Sequence, residues 1–331
     1  MLPSPSPSTM INPPEPSAPL LQVENLCKFF PVHRQQLHAV DQVSFTIHPG
    51  ESVGLVGESG CGKSTLIRLI TRLLAPTRGE ITFRGQSLTQ IPLEQFPQHP
   101  LRAQIQMVFQ DATDSLNPRF TAYDTIVDPL KRLDPDLQRQ GLRQKAEEIA
   151  QLVGLPEALL DRYPHQLSGG QKARIGIARA IALHPALLIL DEPTSALDVS
   201  VQAVILQLLA DLRQRLGMSY LFVSHDLNVV RLLCDRIIVM YLGKIVETGP
   251  VESVFENPHH PYTIALLSAI PSFEAKPHPI PLSGEPRSPI NPSPQVCRLY
   301  GRCPQESDRC AKEMPDLEEV SPQHWVACHF K

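Results

Sequence analysis

Long apolar runs are missing from this chain: none approaches the roughly 18 residues that a membrane-spanning helix needs. A cationic leader followed by an apolar stretch is missing too, so no secretory signal is read at the N-terminus. Positive charge is not in excess; 30 Lys and Arg against 34 Asp and Glu leave a net charge of −4. A generic nucleic-acid binder would present a basic face, so no nucleic-acid partner is expected. These absences predict a cytosolic chain whose membrane role comes through a partner. None of the seven cysteines forms a Cys-x2-Cys pair, which weakens a zinc-ribbon reading. In a cytosolic setting they are not read as disulfides either. Cys27, Cys61 and Cys234 are scattered and read as structural.

Proline, by contrast, is plentiful. Residues 1–19 hold seven prolines among serines and small residues. Such a segment buries too little apolar surface to offset its ordering entropy, and disorder is expected there. The 331 residues that make up the chain suffice for one large domain or two unequal ones.

The organising stretch is Gly57-Glu58-Ser59-Gly60-Cys61-Gly62-Lys63-Ser64-Thr65. It follows the apolar run Val53–Val56 and opens the periodic run Leu66, Ile67, Leu69, Ile70, so a strand feeds a glycine-rich turn that becomes a helix. Glycines let backbone N–H groups turn inward, and the helix N-terminus adds partial positive charge for phosphate. Lys63 would reach the β- and γ-phosphates and the Ser64 hydroxyl would ligate Mg²⁺. The motif implies a bound nucleoside triphosphate.

Around it, Leu21, Val23, Leu26 and then Val40, Val43, Phe45, Ile47 alternate between Pro31 and Pro49-Gly50, predicting a hairpin or meander. Strands are expected at 79–83, 105–109 and 220–223, with a hairpin of 237–240 and 244–247 about Gly243. Residues of about 112–165 read as more polar and helical; Leu142–Val153 reads as a helix closed by Gly154 at C′. Val201, Ile205, Leu208, Leu212 and Leu216 make another, capped by Asp198 or Ser200 and ended by Gly217. Alternating strands and helices place the chain in the α/β class with a mostly parallel sheet. Periodicity fades beyond about Pro258, which marks a domain boundary or the edge of the core.

Two further stretches carry chemistry. Leu187–Leu190 is a buried strand ending in Asp191 and Glu192. Asp191 is placed to hold Mg²⁺ as a hard oxygen ligand, and Glu192, one residue on, to act as general base on a water. Leu167-Ser168-Gly169-Gly170-Gln171 then precedes a helical run, giving a second oxyanion cradle at a helix N-terminus. One ATP does not need two cradles in one subunit, so this one is expected to serve the γ-phosphate held by another. A plain helix N-cap explains the serine but not the paired glycines.

At these residues the chain resembles the ABC-type ATPases, the nucleotide-binding subunits of ABC transporters, over roughly residues 20–255. The order matches throughout: Walker A at 57–65, Q-loop at Gln110, LSGGQ signature at 167–171, Walker B at 187–191, Glu192, the D-loop at 195–198 and the switch histidine His225. The resemblance implies a P-loop NTPase ABC nucleotide-binding domain with a RecA-like core, an antiparallel β subdomain and a helical subdomain at about 112–185. It would span 20–257, followed by a small loop-rich C-terminal extension at 258–331. It also implies ATP hydrolysis with Mg²⁺ bound by Ser64, Gln110 and Asp191, and catalysis by Glu192 with His225, Gln110 and Lys63. Phe30, or Phe29 in its place, would stack on adenine, and Asp198 would bridge two head-to-tail subunits that sandwich two ATPs.

The end of the chain narrows the resemblance. The interval of about 105 residues between Walker A and the signature is too short for a DNA-repair coiled coil. Asn257–Thr263 with Leu266, Leu267, Ala269 and Pro271 is similar to the extension of the oligopeptide/dipeptide importer subfamily; so are Asp114–Arg119 and Pro289–Pro292. That similarity implies a peripheral subunit at the cytoplasmic face of the inner membrane. Its partners would be a like or similar second ATPase, two integral permease subunits and an extracytoplasmic substrate-binding protein. Peptide is the expected cargo, nickel the alternative within the subfamily, and a soluble assembly ATPase the alternative outside it. The spacing Cys297-x5-Cys303-x6-Cys310-x17-Cys328 matches a four-cysteine cluster in part of that subfamily. Four thiolates suit a [4Fe–4S] centre or tetrahedral zinc.

Overall fold

The computed structural model describes residues 18–110, 114–133, 139–270 and 280–331. Of the tail expected to be disordered, residues 1–19, positions 1–17 lie outside the described residues, as does Pro271 in the extension.

The alternating N-terminal stretch forms β1 (Leu21–Val32) and β2 (Gln35–Ile47), paired antiparallel as expected. Next come β3 (Ser52–Val56), α1 (Lys63–Ile70), β4 (Arg78–Phe83) and β5 (Gln86–Ser87). β1, β2, β4 and β5 make a four-stranded sheet in the order β2-β1-β4-β5. A short α2 (Leu101–Gln104) leads into β6 (Ile105–Val108). The helical part follows as α3 (Ala122–Leu133), α4 (Arg139–Leu152) and α5 (Gly169–Ile181), with α3 packed on both other helices. Gly154 beyond α4 has φ 65°, the left-handed C′ conformation read from the sequence.

The chain then returns to the core through β7 (Leu187–Asp191), α6 (Val199–Leu216), β8 (Ser219–Val223), α7 (Leu227–Leu233), β9 (Arg236–Tyr241) and β10 (Lys244–Pro250). Asp198 is the N-cap residue of α6, though its carboxylate makes no cap hydrogen bond, and Gly217 closes the helix at φ 63°. Last come α8 (Val251–Glu256), α9 (Pro261–Ser268), β11 (Glu318–Ser321) and β12 (His324–Val326).

Among the described residues the main sheet has eight strands, ordered β11-β12-β10-β9-β3-β8-β7-β6. β6, β7, β8, β3 and β9 run parallel, and β9, β10, β12 and β11 antiparallel. Parallel strands covered on both faces read as continuous apolar runs, and here each alternate residue serves a different face. Leu188, Leu190, Tyr220 and Phe222 join the core beneath the helical part. Leu187, Ile189, Leu221 and Val223 join the core shared with α1 and the smaller sheet. Burying one such side chain contributes about 1.5–3 kcal/mol. Because β3, β6, β7 and β8 are parallel, their C-terminal ends share one edge. Gly57, Gln110, Asp191 and Ser224-His225 therefore arrive at the same rim, the place where open α/β sheets bind ligands.

The extension beyond Pro258 is built into the core rather than appended to it. β12 hydrogen-bonds β10, pairing Val326 with Glu247 and Trp325 with Thr248. Tyr262 of α9 is fully buried, and Leu299 is 2% exposed. The Glu247 carboxylate, 0% exposed, accepts from the N–H groups of His259 and His260 at 2.8 and 3.0 Å and pairs with His324 Nε2 at 2.8 Å. Those bonds outweigh burial and hold its pKa below the ordinary range.

His260 caps α9: its Nδ1 accepts the Tyr262 N–H at 3.1 Å. Burial drives its pKa down from 6.5 to about 4, against the pull of the Glu247 charge. The neutral ring is required in the fold, while the unfolded chain takes up a proton from 6.5 downward. This contribution to stability is complete above pH 6.5 and is lost as pH falls towards 4, by roughly 2–3 kcal/mol at pH 4.5. Urea midpoints at pH 7 and 4.5 should differ accordingly in the parent. The difference should shrink in His260→Asn, whose amide can still cap the helix.

Candidate functional site

The rim of the parallel strands encloses a cavity of about 490 Å³. One wall is the phosphate loop: Gly57, Ser59, Gly60, Gly62, Lys63, Ser64 and Thr65 all line it. Three of its glycines hold positive φ, 149° at Gly57, 79° at Gly60 and 112° at Gly62. Two also leave no room for a side chain: a Cβ on Gly57 would lie 2.2 Å from the Met240 carbonyl, and one on Gly62 2.2 Å from that of Ala39. Close backbone packing, as well as the turn, thus demands glycine. The Lys63 ammonium, 7% exposed, donates to the carbonyls of Gly57 at 2.6 Å and Glu58 at 3.1 Å. It is folded over the loop, at the position from which it can turn to a phosphate.

Glu58 and Cys61 belong to the same motif but face away from the cavity. The Glu58 side chain turns to Arg302, and Cys61 is buried, its sulfur 3.8 Å from the Lys63 nitrogen. Burial first of all raises the Cys61 thiol pKa, with Lys63 opposing. That makes it an inert packing group.

Across the cavity stand Gln110, Asp191, Glu192 and His225. The Glu192 carboxylate joins two of the others: Gln110 Nε2 donates to its Oε2 at 3.1 Å, and His225 Nδ1 lies 3.3 Å from the same oxygen. Glu192 adopts φ 45°, a strained value for a non-glycine residue. It is fixed there by its N–H donating to the Val223 carbonyl at 3.0 Å and by the Ser195 hydroxyl donating to its carbonyl at 3.1 Å. Burial, and then the neighbouring Glu192 charge, push the Asp191 pKa up to about 6, while Arg68 and Lys63 pull it down. Two carboxylates crowded at a strand end, with a serine hydroxyl in the same cavity, form a hard oxygen donor set that a divalent cation would relieve. Ser64, Gln110 and Asp191 fit Mg²⁺ by that chemistry.

At the opposite end Phe30 lines the cavity with Leu37, Leu242 and Pro289. Phe29 turns away and stacks on His38, ring centroids 3.9 Å apart. Of the two phenylalanines considered for the base, Phe30 is the one in the cavity wall. Nothing local in the sequence marks Leu37 or Leu242 as cavity residues; Pro289, singled out only for its similarity to the importer extension, reaches the site from the far end of the chain.

The signature segment stands apart from this cavity. Ser168 is the N-cap of α5: its Oγ accepts the Gln171 N–H at 3.3 Å, while Gln171 Oε1 accepts the Ser168 N–H at 2.9 Å. Capping thus accounts for Ser168 and Gln171. A Cβ on Gly170 would lie 2.7 Å from Val201 Cγ1, and one on Gly169 3.3 Å from Leu197. The close approach of α5 to α6 therefore supplies a reason for the paired glycines that the sequence did not offer. Ser168, Gly169 and Asp198 are all exposed, on a face this chain leaves uncovered.

The four C-terminal cysteines share one neighbourhood: the Cys297 N–H donates to the Cys310 carbonyl at 2.9 Å. Burial, then neighbouring cysteines, raise the thiol pKa of Cys297. In Cys303 and Cys328 burial likewise leads, with other cysteines of the group adding to it. Among the described residues, however, no three His, Cys, Asp or Glu side chains gather as a group able to hold a metal ion. The sulfurs of Cys310 and Cys328 are instead in local contacts, with the Ser307 hydroxyl at 3.7 Å and the Phe330 N–H at 3.4 Å. The expected [4Fe–4S] or zinc centre gains no support from this arrangement.

The phosphate loop at the rim of a parallel sheet, the paired carboxylates and the separate signature helix define an ABC-type ATPase. The family model for ABC transporter domains matches residues 40–195, and that for the oligopeptide/dipeptide transporter C-terminal region matches 246–310. An oligopeptide transport ATP-binding protein of Bacillus subtilis, AppF, is 44% identical over 322 residues, covering 94% of this chain and 97% of its own. A dimeric ATP-binding cassette in a post-hydrolysis state, bound to ADP and Pi, superposes with a TM-score of 0.64 at 30% identity, covering 70% of this chain and 98% of its own. CbiO1 of Clostridium perfringens, part of an ABC transporter complex, gives 0.62 at 29% identity, covering 72% and 91%. The chain belongs to the ATP-binding subunits of ABC transporters, in the group that carries the oligopeptide/dipeptide C-terminal region.

Proposed function

We propose that this chain is the ATP-hydrolysing subunit of an importer and energises passage of di- and oligopeptides through a partner permease. The observation that carries the cargo assignment is the oligopeptide/dipeptide C-terminal region directly following the cassette, at 246–310. A relative named for oligopeptide transport, matched over nearly its whole length, supports peptide over nickel. The extension also argues against a soluble assembly ATPase. No helix among the described residues is long and apolar enough to cross a membrane. As the ATP-binding subunit of an importer it acts peripherally, at the cytoplasmic face, beneath two integral permease subunits fed by an extracytoplasmic binding protein.

In this reading the backbone amides of the phosphate loop and Lys63 take the β- and γ-phosphates, and Phe30 stacks on adenine. Ser64, Gln110 and Asp191 hold Mg²⁺, which neutralises charge on the phosphates. Glu192 takes the proton of the attacking water. Gln110 and His225, which share its carboxylate, keep it aimed, and His225 faces the γ-phosphate. Ser168, Gly169, Gly170 and Gln171, with Asp198, complete the site of a second ATPase subunit arranged head to tail. ATP gains the contacts of the second subunit only in the closed pair and so shifts the population towards it.

Uptake of a labelled dipeptide or pentapeptide into vesicles holding the co-expressed complex tests the cargo. ATP-dependent accumulation that Glu192→Gln abolishes is expected. Peptides that neither accumulate nor stimulate turnover, while nickel does both, would overturn the assignment. A [4Fe–4S] centre on Cys297, Cys303, Cys310 and Cys328 belongs to the same proposal, with no role in hydrolysis. Its support is the spacing of the four cysteines in the sequence. Iron and sulfide analysis of anaerobically purified protein decides it, and metal-free, colourless protein ends it.

A further inference from the structure

The segment 288–302 of the extension touches both ends of the ATP cavity. At the base end it lies antiparallel on the start of β2, bridging Ile290 to Leu37. The Asn291 N–H donates to the Gln36 carbonyl at 2.8 Å, the Gln36 N–H to Asn291 Oδ1 at 2.8 Å, and the His38 N–H to the Pro289 carbonyl at 2.9 Å. At the phosphate end, Arg302 reaches Glu58 inside the phosphate loop. Its Nη1 and Nη2 donate to the two Glu58 carboxylate oxygens at 3.2 and 3.4 Å, and Nη1 donates to the Tyr241 hydroxyl at 3.0 Å.

Arg302 is 8% exposed, whereas the Glu58 side chain is 33% exposed. The arginine is the buried, fixed partner and the loop residue the one being held. A second contact from the extension acts on the same residue: the Glu58 N–H donates to the buried Tyr262 hydroxyl at 2.7 Å. Tyr262 in turn packs on Tyr241, ring centroids 4.6 Å apart. Side chain and backbone of Glu58 are thus both fixed from outside the cavity. The Cys61 N–H is turned back onto the Glu58 carbonyl at 3.2 Å, which leaves Ser59, Gly60 and Gly62, all in the cavity wall, to aim their amides inward. Strong forked hydrogen bonds to a charged group are suited to fixing orientation.

We infer that Arg302 is a positioning residue of the ATP site. By clasping Glu58 it keeps the phosphate loop in its binding shape before nucleotide arrives, so the extension sets ATP affinity. This rests on the reading of the cavity as the ATP site. A glue merely holding the extension to the core would affect unfolding and leave nucleotide affinity alone, which separates the two roles.

The test uses the full chain, with dissociation of a fluorescent ATP analogue and steady-state KM and kcat measured well below the unfolding temperature. Arg302→Ala is expected to raise Kd and KM by about tenfold with kcat changed less than about twofold. Arg302→Lys, which keeps the charge but not the fork, should recover part of the loss. In a Glu58→Gln background the further effect of Arg302→Ala should be small. Should Arg302→Ala not fold, Arg302→Lys and Arg302→Gln carry the same comparison. Unchanged Kd and KM in a folded variant, or an undiminished effect in the Glu58→Gln background, would overturn the inference. Lys63→Ala separates this failure from that of the underlying reading. If Lys63→Ala binds the analogue as tightly as the parent, it is the cavity assignment that fails.

Discussion

Glu192→Gln should lower ATP turnover by about 10²–10⁴, roughly 3–5 kcal/mol of barrier, while ATP is still bound. The substitution removes a charge and a proton acceptor but little else. The glutamine carbonyl oxygen can still accept from Gln110, now 3.1 Å from the carboxylate, and the backbone at φ 45° is held by Val223 and Ser195 rather than by the side chain. The phosphate loop, across the cavity, is untouched. With hydrolysis blocked, the terminal phosphate stays in place and the closed pair of subunits should accumulate. Phosphate release measures the first effect, and size exclusion in ATP the second. Parent-like hydrolysis by purified Glu192→Gln would show that the base lies elsewhere.

Gly62→Ala should cost both ATP binding and stability. Its φ of 112° is strained for any L side chain, and its Cβ would stand 2.2 Å from the Ala39 carbonyl oxygen. The neighbour is backbone, held by its place at β2 beside the Gly243 turn, so it cannot swing aside as a side-chain tip would. Strain of about 1–3 kcal/mol adds to overpacking of similar size. Because Gly62 is the N-cap of α1, any relief moves Lys63 and Ser64 with it, and binding of ATP should fall by about 100-fold or more. Gly60→Ala is the instructive companion. Its Cβ would meet nothing within 4 Å, and only its φ of 79° opposes it, so its loss should be smaller. Gly176→Ala, in the middle of α5 with open space around it, should be neutral or stabilise by up to about 1 kcal/mol. Calorimetric Tm and nucleotide binding of the three variants rank the effects. Equal behaviour of Gly62→Ala and Gly176→Ala would refute the packing account.

Which parts of this molecule could be read from the chain follows from the range of the contacts involved. The phosphate loop was legible because strand, turn and helix are consecutive there and each residue type has a local job. The carboxylates at the end of β7 were legible for the same reason, since a buried strand ending in acids is a local pattern. That Gln110, Glu192 and His225 would meet is implied by the resemblance to the ABC-type ATPases, and the shared rim of the parallel strands supplies the physical reason. The choice between Phe29 and Phe30 could not be made locally, because bulges in β1 shift the register near Lys28. The entry of Pro289 into the cavity wall and the grip of Arg302 on Glu58 join residues hundreds of positions apart, and neither leaves a periodicity. The fading of pattern after Pro258 reads as a domain boundary or the edge of the core. It conceals that Tyr262, Leu299 and β12 complete the core.

The hairpin β11–β12 is the last part of the main sheet in chain order, yet it covers the outer side of β10. A ribosome therefore releases every other strand of that sheet first. Until the hairpin emerges, β10 presents bare peptide groups to its surroundings, an adhesive margin for neighbouring nascent chains. Premature termination or proteolytic trimming before Glu318 would leave that margin open for good. Such fragments should clump during expression even though every residue lining the nucleotide cavity is present.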